Sequence, residues 1–123
     1  MKTTGIAVIG AGPAGIAAAL AASEAGAAVT LIDENPSVGG QLRWRIAPLR
    51  GLDDALEGLP ACRAAETLCE RLAAAGVSVL TGAVAWGLFD DGSLGVATPD
   101  GGFLLQAEKI VVATGAVDLV LPF

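Results

Sequence analysis

Hydrophobic positions follow two rhythms along this chain. Gly5–Ser23, "GIAVIGAGPAGIAAALAAS", carries no charge and changes character at its glycines. Ile6–Ile9 reads as a short buried strand, Gly10–Gly12 as a turn, and the stretch from Pro13 to about Ala25 as a helix closed by Gly26. "VTLID", Val29–Asp33, is a second strand, apolar enough for burial on both faces. Periodicity is lost from Asn35 to Leu59, where Asn35-Pro36 and Gly39-Gly40 signal turns. Helical spacing returns between Pro60 and Gly76. Ala61, Ala65, Leu68, Cys69 and Leu72 form its expected buried stripe, while Arg63, Glu66, Glu70 and Arg71 face water, with Arg63 opposite Glu66 and Glu70. Val77–Leu80 follows as a third parallel strand. Ala83–Phe89, Leu94–Thr98 and Phe103–Ala107, split by Asp91-Gly92 and Asp100-Gly101, read as an antiparallel meander. Lys109–Ala116 is then a separate buried strand running into Thr114-Gly115. This succession predicts an α/β, Rossmann-like three-layer domain: a parallel sheet with helices on one side and a small meander.

An uncharged opening also suits a membrane span or signal peptide. Gly10, Gly12, Pro13 and Gly15 argue against both, because they interrupt the run where a spanning helix would be continuous. Their spacing has a mechanical reading instead. Gly10 permits the tight turn out of the strand, Gly12 leaves room for a pyrophosphate, and Gly15 lets helix and sheet lie close. Pro13 suits the first helical turn, whose free N–H groups and positive dipole end attract phosphate. Asp33 ends the second strand at the distance expected of a carboxylate that takes a ribose hydroxyl, and it would repel a 2′-phosphate. Glu34 is the alternative acid.

Charge and composition narrow the function classes. Seven basic residues stand against thirteen acidic ones and form no dense cluster, which removes a nucleic-acid footprint. The chain has no His and no Tyr, so the usual general base, metal ligand and Ser-His or Cys-His pairs are absent. Cys62 and Cys69 lie on one predicted helix with Cα atoms roughly 10 Å apart, beyond disulfide reach. Two small buried hydrophobes in a reducing cytoplasm are expected. Arg43, Arg45 and Arg50 crowd the irregular segment and face either an anionic ligand or solvent. Trp44 is either a packing residue or a stacking surface.

Taken in order, "GAGPAG" (Gly10–Gly15), "VTLIDENPSVGGQL" (Val29–Leu42), the meander and "VVATGA" (Val111–Ala116) resemble the two-dinucleotide-binding-domain flavoproteins, the pyridine nucleotide-disulfide oxidoreductase-like proteins. Within that group "DENPSVGGQLRW" is most similar to large subunits of bacterial amino-acid or amine dehydrogenases of the opine oxidase, hydrogen cyanide synthase, sarcosine oxidase and D-hydroxyproline dehydrogenase types. The resemblance implies that residues 1–123 are a partial FAD-binding domain that binds FAD, with NAD the alternative. Gly10, Gly12, Pro13, Ala14 and Gly15 would hold the pyrophosphate, Asp33 or Glu34 the ribose, and Gly40 and Gln41 would lie near the phosphates. Val84 would meet the adenine through its backbone, and Ala113, Thr114 and Gly115 would pack over the cofactor. No redox cysteine pair follows Gly39-Gly40, and no Gly-Asp pair of the kind that fixes the flavin side is present before the sequence stops at Phe123.

Three functions are thus open: an FAD-binding part of a cytoplasmic oxidoreductase completed by a partner subunit or further sequence, a non-enzymatic dinucleotide-binding module, and a truncated flavoprotein held together as a homo-oligomer with an empty cradle. No side chain is nominated as acid, base or nucleophile.

Overall fold

The computed structural model describes residues 1–117 and 119–122. Its elements are β1 (Lys2–Ile9), α1 (Pro13–Glu24), β2 (Val29–Ile32), a 3-10 turn (Gly40–Trp44), α2 (Ala61–Ala74), β3 (Ser78–Leu80), β4 (Val84–Leu88), β5 (Ser93–Thr98) and β6 (Gly101–Val112). The strands form one mixed sheet in the order β3-β2-β1-β6-β5-β4. β3, β2, β1 and β6 run parallel, β5 adds antiparallel to the first half of β6, and β4 adds antiparallel to β5. No helix among the described residues is long and apolar enough to cross a membrane.

Alternation along β1 builds two cores. Val8 joins Leu31, Ile16, Ala19 and Leu72 on the face covered by the helices. Ala7 joins Ile32, Leu94, Val96, Leu105 and Ala107 on the opposite face, where the meander supplies the cover. This is the predicted three-layer α/β arrangement, with helices on one side of the sheet and the meander on the other. Ile16, Leu31 and Leu72 are fully buried, and each such side chain contributes about 1.5–3 kcal/mol of hydrophobic transfer.

Both helices end as their glycines predict. After α1, Gly26 (φ +93°) donates to the Ser23 carbonyl and Ala27 to that of Ala22. After α2, Gly76 (φ +74°) and Val77 repeat the pattern on Ala73 and Leu72. Carbonyls that helix ends otherwise leave unpaired are satisfied in both places.

Four expectations need correction. Phe103–Ala107 and Lys109–Ala116 are not two strands. They are largely one strand, β6, whose Gly101–Gln106 half pairs with β5 and whose Leu105–Val112 half pairs with β1. The Glu108-Lys109 pair, which reads as a break in the sequence, sits exposed on the strand. β6 also ends at Val112, and Val111 and Val112 are exposed where that half of the strand pairs with β1 on one edge and, among the described residues, has no strand on the other. On α2 the buried positions are Ala61, Ala64, Ala65 and Leu72; Cys69 turns to water and Cys62 is half-buried, so the cysteines are free but not core residues. Arg63 pairs with Glu66 at 3.2 Å, but Arg71 reaches Asp54 across the irregular segment instead of staying solvated.

Candidate functional site

The carboxyl ends of the parallel strands are tied together by backbone hydrogen bonds. Ala113 N donates to Ile9 O at 2.8 Å, Gly10 N to Ile32 O at 2.8 Å, and Asp33 N to Leu80 O at 2.9 Å. Along this edge lies a cleft of about 190 Å³ lined by Ile9, Gly10, Ile32, Asp33, Glu34, Asn35, Ala83, Val84, Ala85 and Thr114. One wall is the strand ends and the other the entry to the meander. An open α/β sheet offers ligands this same edge.

Next to the cleft, the Gly10–Gly15 turn leads into α1, with Pro13 in its first turn. The glycines differ in what excludes a side chain. At Gly10 (φ +104°) a Cβ would run into the Ala113 carbonyl, and at Gly15 into the carbonyl of Gly10 itself. Those two are required by the fold. Gly12 is different: its backbone is extended (φ −75°), and the nearest atom to an added Cβ is Gly40 Cα at 4.0 Å. Nothing in the described chain forbids a side chain at Gly12.

The amides around Gly12 complete a donor set. Ile16 N donates to Gly12 O, while the N–H groups of Gly12, Ala14 and Gly15 have no acceptor among the described residues. Gly39 N donates to Ala11 O at 2.7 Å, which brings the 3-10 turn onto the loop, and a Cβ on Gly40 would lie 2.7 Å from Gly12 Cα. Free N–H groups at a helix start, a gap without side chains and a flanking glycine backbone fit a pyrophosphate.

Most predicted site residues meet here. Gly10, Asp33, Glu34, Val84 and Thr114 line the cleft, Ala113 backs Gly10, and Gly12, Pro13, Ala14, Gly15 and Gly40 surround the donor set. Gln41 and Gly115 lie further along the edge. Gln41 Nε2 donates to Ala116 O at 3.2 Å and Gln41 Oε1 accepts from Arg45 Nη2 at 3.2 Å, fastening the 3-10 turn to the segment after β6; Gly115 (φ +69°) is exposed beside that contact. Arg43 lies over the Trp44 ring at 5.1 Å, and Arg50 approaches Glu57 at 4.0 Å, away from the cleft. Trp44 is 78% exposed and is not a packing residue.

Asp33 is more engaged than its position alone implies. Oδ2 accepts from Ala11 N at 2.7 Å, while Oδ1 accepts from Asn35 N at 2.7 Å and Asn35 Nδ2 at 2.9 Å. Ala11 and Asn35 thus join the site without having been expected there. The signal for Asn35 is present in the sequence: an Asp two residues before it forms an Asx turn. Nothing local to Ala11 announces a contact made across the fold.

Comparison with known proteins agrees with this geometry. Residues 4–123 match the pyridine nucleotide-disulphide oxidoreductase family. The A subunit of opine oxidase from Agrobacterium tumefaciens (strain Ach5) is 34% identical over 124 residues, covering 94% of this chain and 24% of that protein. The alpha subunit of sarcosine oxidase from Corynebacterium sp. (strain U-96) is 43% identical over 72 residues, covering 58% of this chain and 7% of that protein. Among solved structures, L-proline dehydrogenase from P. horikoshii superposes with a TM-score of 0.85 at 29% identity, over 97% of this chain and 24% of its own. This chain therefore spans about a quarter of the length of the proline dehydrogenase chain and of that opine oxidase protein. With its glycine-rich strand-turn-helix, its strand order and its match from residue 4 onward, the chain belongs to the pyridine nucleotide-disulphide oxidoreductase family.

Proposed function

We propose that this chain is the FAD-binding part of an oxidoreductase of the amino-acid or amine dehydrogenase type, acting in the cytoplasm and catalytically incomplete by itself. The observation that carries this reading is the open position at Gly12: a glycine that the fold does not need, facing free amides at a helix start. Gly12, Ala14 and Gly15 would donate to the pyrophosphate, Gly40 would close over it, and the cleft between Val84 and Thr114 would take the adenosine. Bound FAD would supply hydride acceptance at its flavin ring. This chain's share is to grip and orient the nucleotide half.

Among the described residues, the ionisable side chains that line the cleft are Asp33 and Glu34, both better suited to hydroxyl groups than to proton transfer at a distant flavin. Their negative charge favours FAD or NAD over a 2′-phosphorylated nucleotide. The similarity to components of opine and sarcosine oxidases supports completion by a partner subunit or by further sequence. An absorbance spectrum of the purified protein, followed by heat release and chromatography of the ligand, tests the proposal. A flavin band with FAD in the supernatant is expected. A colourless protein that binds adenine dinucleotides without flavin selectivity would leave a binding module, and one that binds no dinucleotide would refute the reading.

A further inference from the structure

We infer that Ala65, on α2 and outside the cleft, is a positioning residue for the Gly10–Gly15 loop. Its methyl group seats Gly39 and, through Gly39-Gly40, sets how closely the 3-10 turn stands against Gly12. This rests on the dinucleotide reading of the site and names what keeps its donor set open.

The two ends of α2 serve different neighbours. Leu72, toward the C-terminal end, is fully buried in the core shared with β1, β2 and α1. Ala65, about two turns earlier, is 4% exposed and meets the 3-10 turn instead. The place that a Gly39 Cβ would take lies 2.8 Å from the Ala65 Cβ and 2.7 Å from Arg43 Cγ, so helix and turn leave no room between them. Gly39 also stands at φ +123°, a conformation that a side chain would strain.

From Gly39 the contact passes directly to the loop. Its N–H donates to Ala11 O at 2.7 Å, and a Cβ on Gly40 would lie 2.7 Å from Gly12 Cα. The loop has no space to retreat from a turn pushed toward it. Ala11 is fully buried, its N–H is held by Asp33 Oδ2 at 2.7 Å, and Gly10 is packed against the Ala113 carbonyl. A close-packed interior moves its backbone when methyl groups are added. Extra volume at position 65 is therefore passed to Gly39-Gly40 and narrows the gap over Gly12, where the free N–H groups stand.

The test measures the affinities of the full chain for ADP and for adenosine by isothermal titration, with the melting temperature of each unliganded variant. Adenosine carries the base and ribose without phosphate, so the ratio of the two dissociation constants reads the loop alone. The parent should prefer ADP by at least about tenfold, the worth of one hydrogen bond to a charged group. Ala65→Val should cut that preference to about threefold or less, through displacement of the turn, while adenosine binds as before. Leu72→Ala loosens the same helix through the core; it should lower the melting temperature and keep the parent's ratio. Should Ala65→Val fail to fold, Ala65→Cys, a smaller enlargement, should reduce the ratio in the same direction. A parent-like ratio in the Ala65 variant, or an equal loss in Leu72→Ala, overturns the positioning role and leaves the cradle standing. A parent that binds ADP no better than adenosine overturns the cradle and this inference with it.

Discussion

Replacing Gly12 by Ala separates what the fold requires from what a ligand requires. At φ −75° and ψ −175° an alanine adopts the same backbone without strain, and its methyl group meets only Gly40 Cα at 4.0 Å. At compatible sites Gly→Ala stabilises by about 0.4–1 kcal/mol through the unfolded chain. For a chain of this size that corresponds to a melting temperature raised by about 2–4 °C. Gly15→Ala is the control. Its methyl would land on the Gly10 carbonyl, so overpacking should lower stability by about 1–3 kcal/mol. With ADP at about a hundred times its Kd, linkage stabilises the parent by about 2.7 kcal/mol, roughly a 10 °C shift in differential scanning fluorimetry. Gly12→Ala should lose most of that shift, because the methyl occupies the space a phosphate would take. A Gly12→Ala protein that melts below the parent would show that the fold needs this glycine. One that keeps the full ADP shift would move the phosphate site elsewhere.

Further outcomes follow from the core, the meander turn and the open edge. Leu72→Ala, at a fully buried position on α2, should cost about 2–5 kcal/mol in urea unfolding; a loss under about 1 kcal/mol would mean that the helix is not seated as described. The Asp91 carboxyl is held below its ordinary range first by the Ser93 hydroxyl (2.6 Å) and then by the Ser93 N–H (3.0 Å). Its contribution is therefore present above roughly pH 4 and fades as acid protonates the folded form. Ser93→Ala should flatten the fall in melting temperature below that pH, and unchanged slopes would remove Asp91 from the acid response. Exposed Val111, Val112, Leu119, Val120 and Leu121 should make sedimentation concentration-dependent, and a single monomer species across the micromolar and submillimolar range would contradict this.

The features legible in the sequence are those set within a few residues. Gly10, Gly12 and Gly15 announce a strand-turn-helix because each restricts its own neighbourhood, and Gly26 and Gly76 announce helix ends for the same reason. The lining of the cleft by Asp33 and Thr114 followed from one general rule about strand ends, whereas Val84 was expected there only from the family resemblance. Contacts between distant segments were less accessible. The bonds from Ala11 to Asp33 and from Gln41 to Ala116 depend on how loops meet after folding. Cys69 illustrates a different limit: on a narrow helical stripe, one position either way decides between core and water, and the buried stripe runs through Ala61, Ala64, Ala65 and Leu72, leaving Cys69 outside it. β6 concealed its length because exposed Glu108 and Lys109 imitate a turn in the middle of a strand.

The pairing of β1 with β6 has a consequence for how the molecule assembles. Ile6 lies opposite Lys109 and Ile9 opposite Val112, so the centre of the sheet joins the first strand to the last. During synthesis at about 5–20 residues per second, β1 waits several seconds for that neighbour. β1, α1 and β2 can come together in the meantime, but one side of β1 stays unpaired, with Ala7 and Ile9 uncovered on the face that the meander later closes. Such long-range closure makes folding slow relative to helical proteins of similar size. During biosynthesis, the interval before Val112 emerges is when this chain is most vulnerable to aggregation.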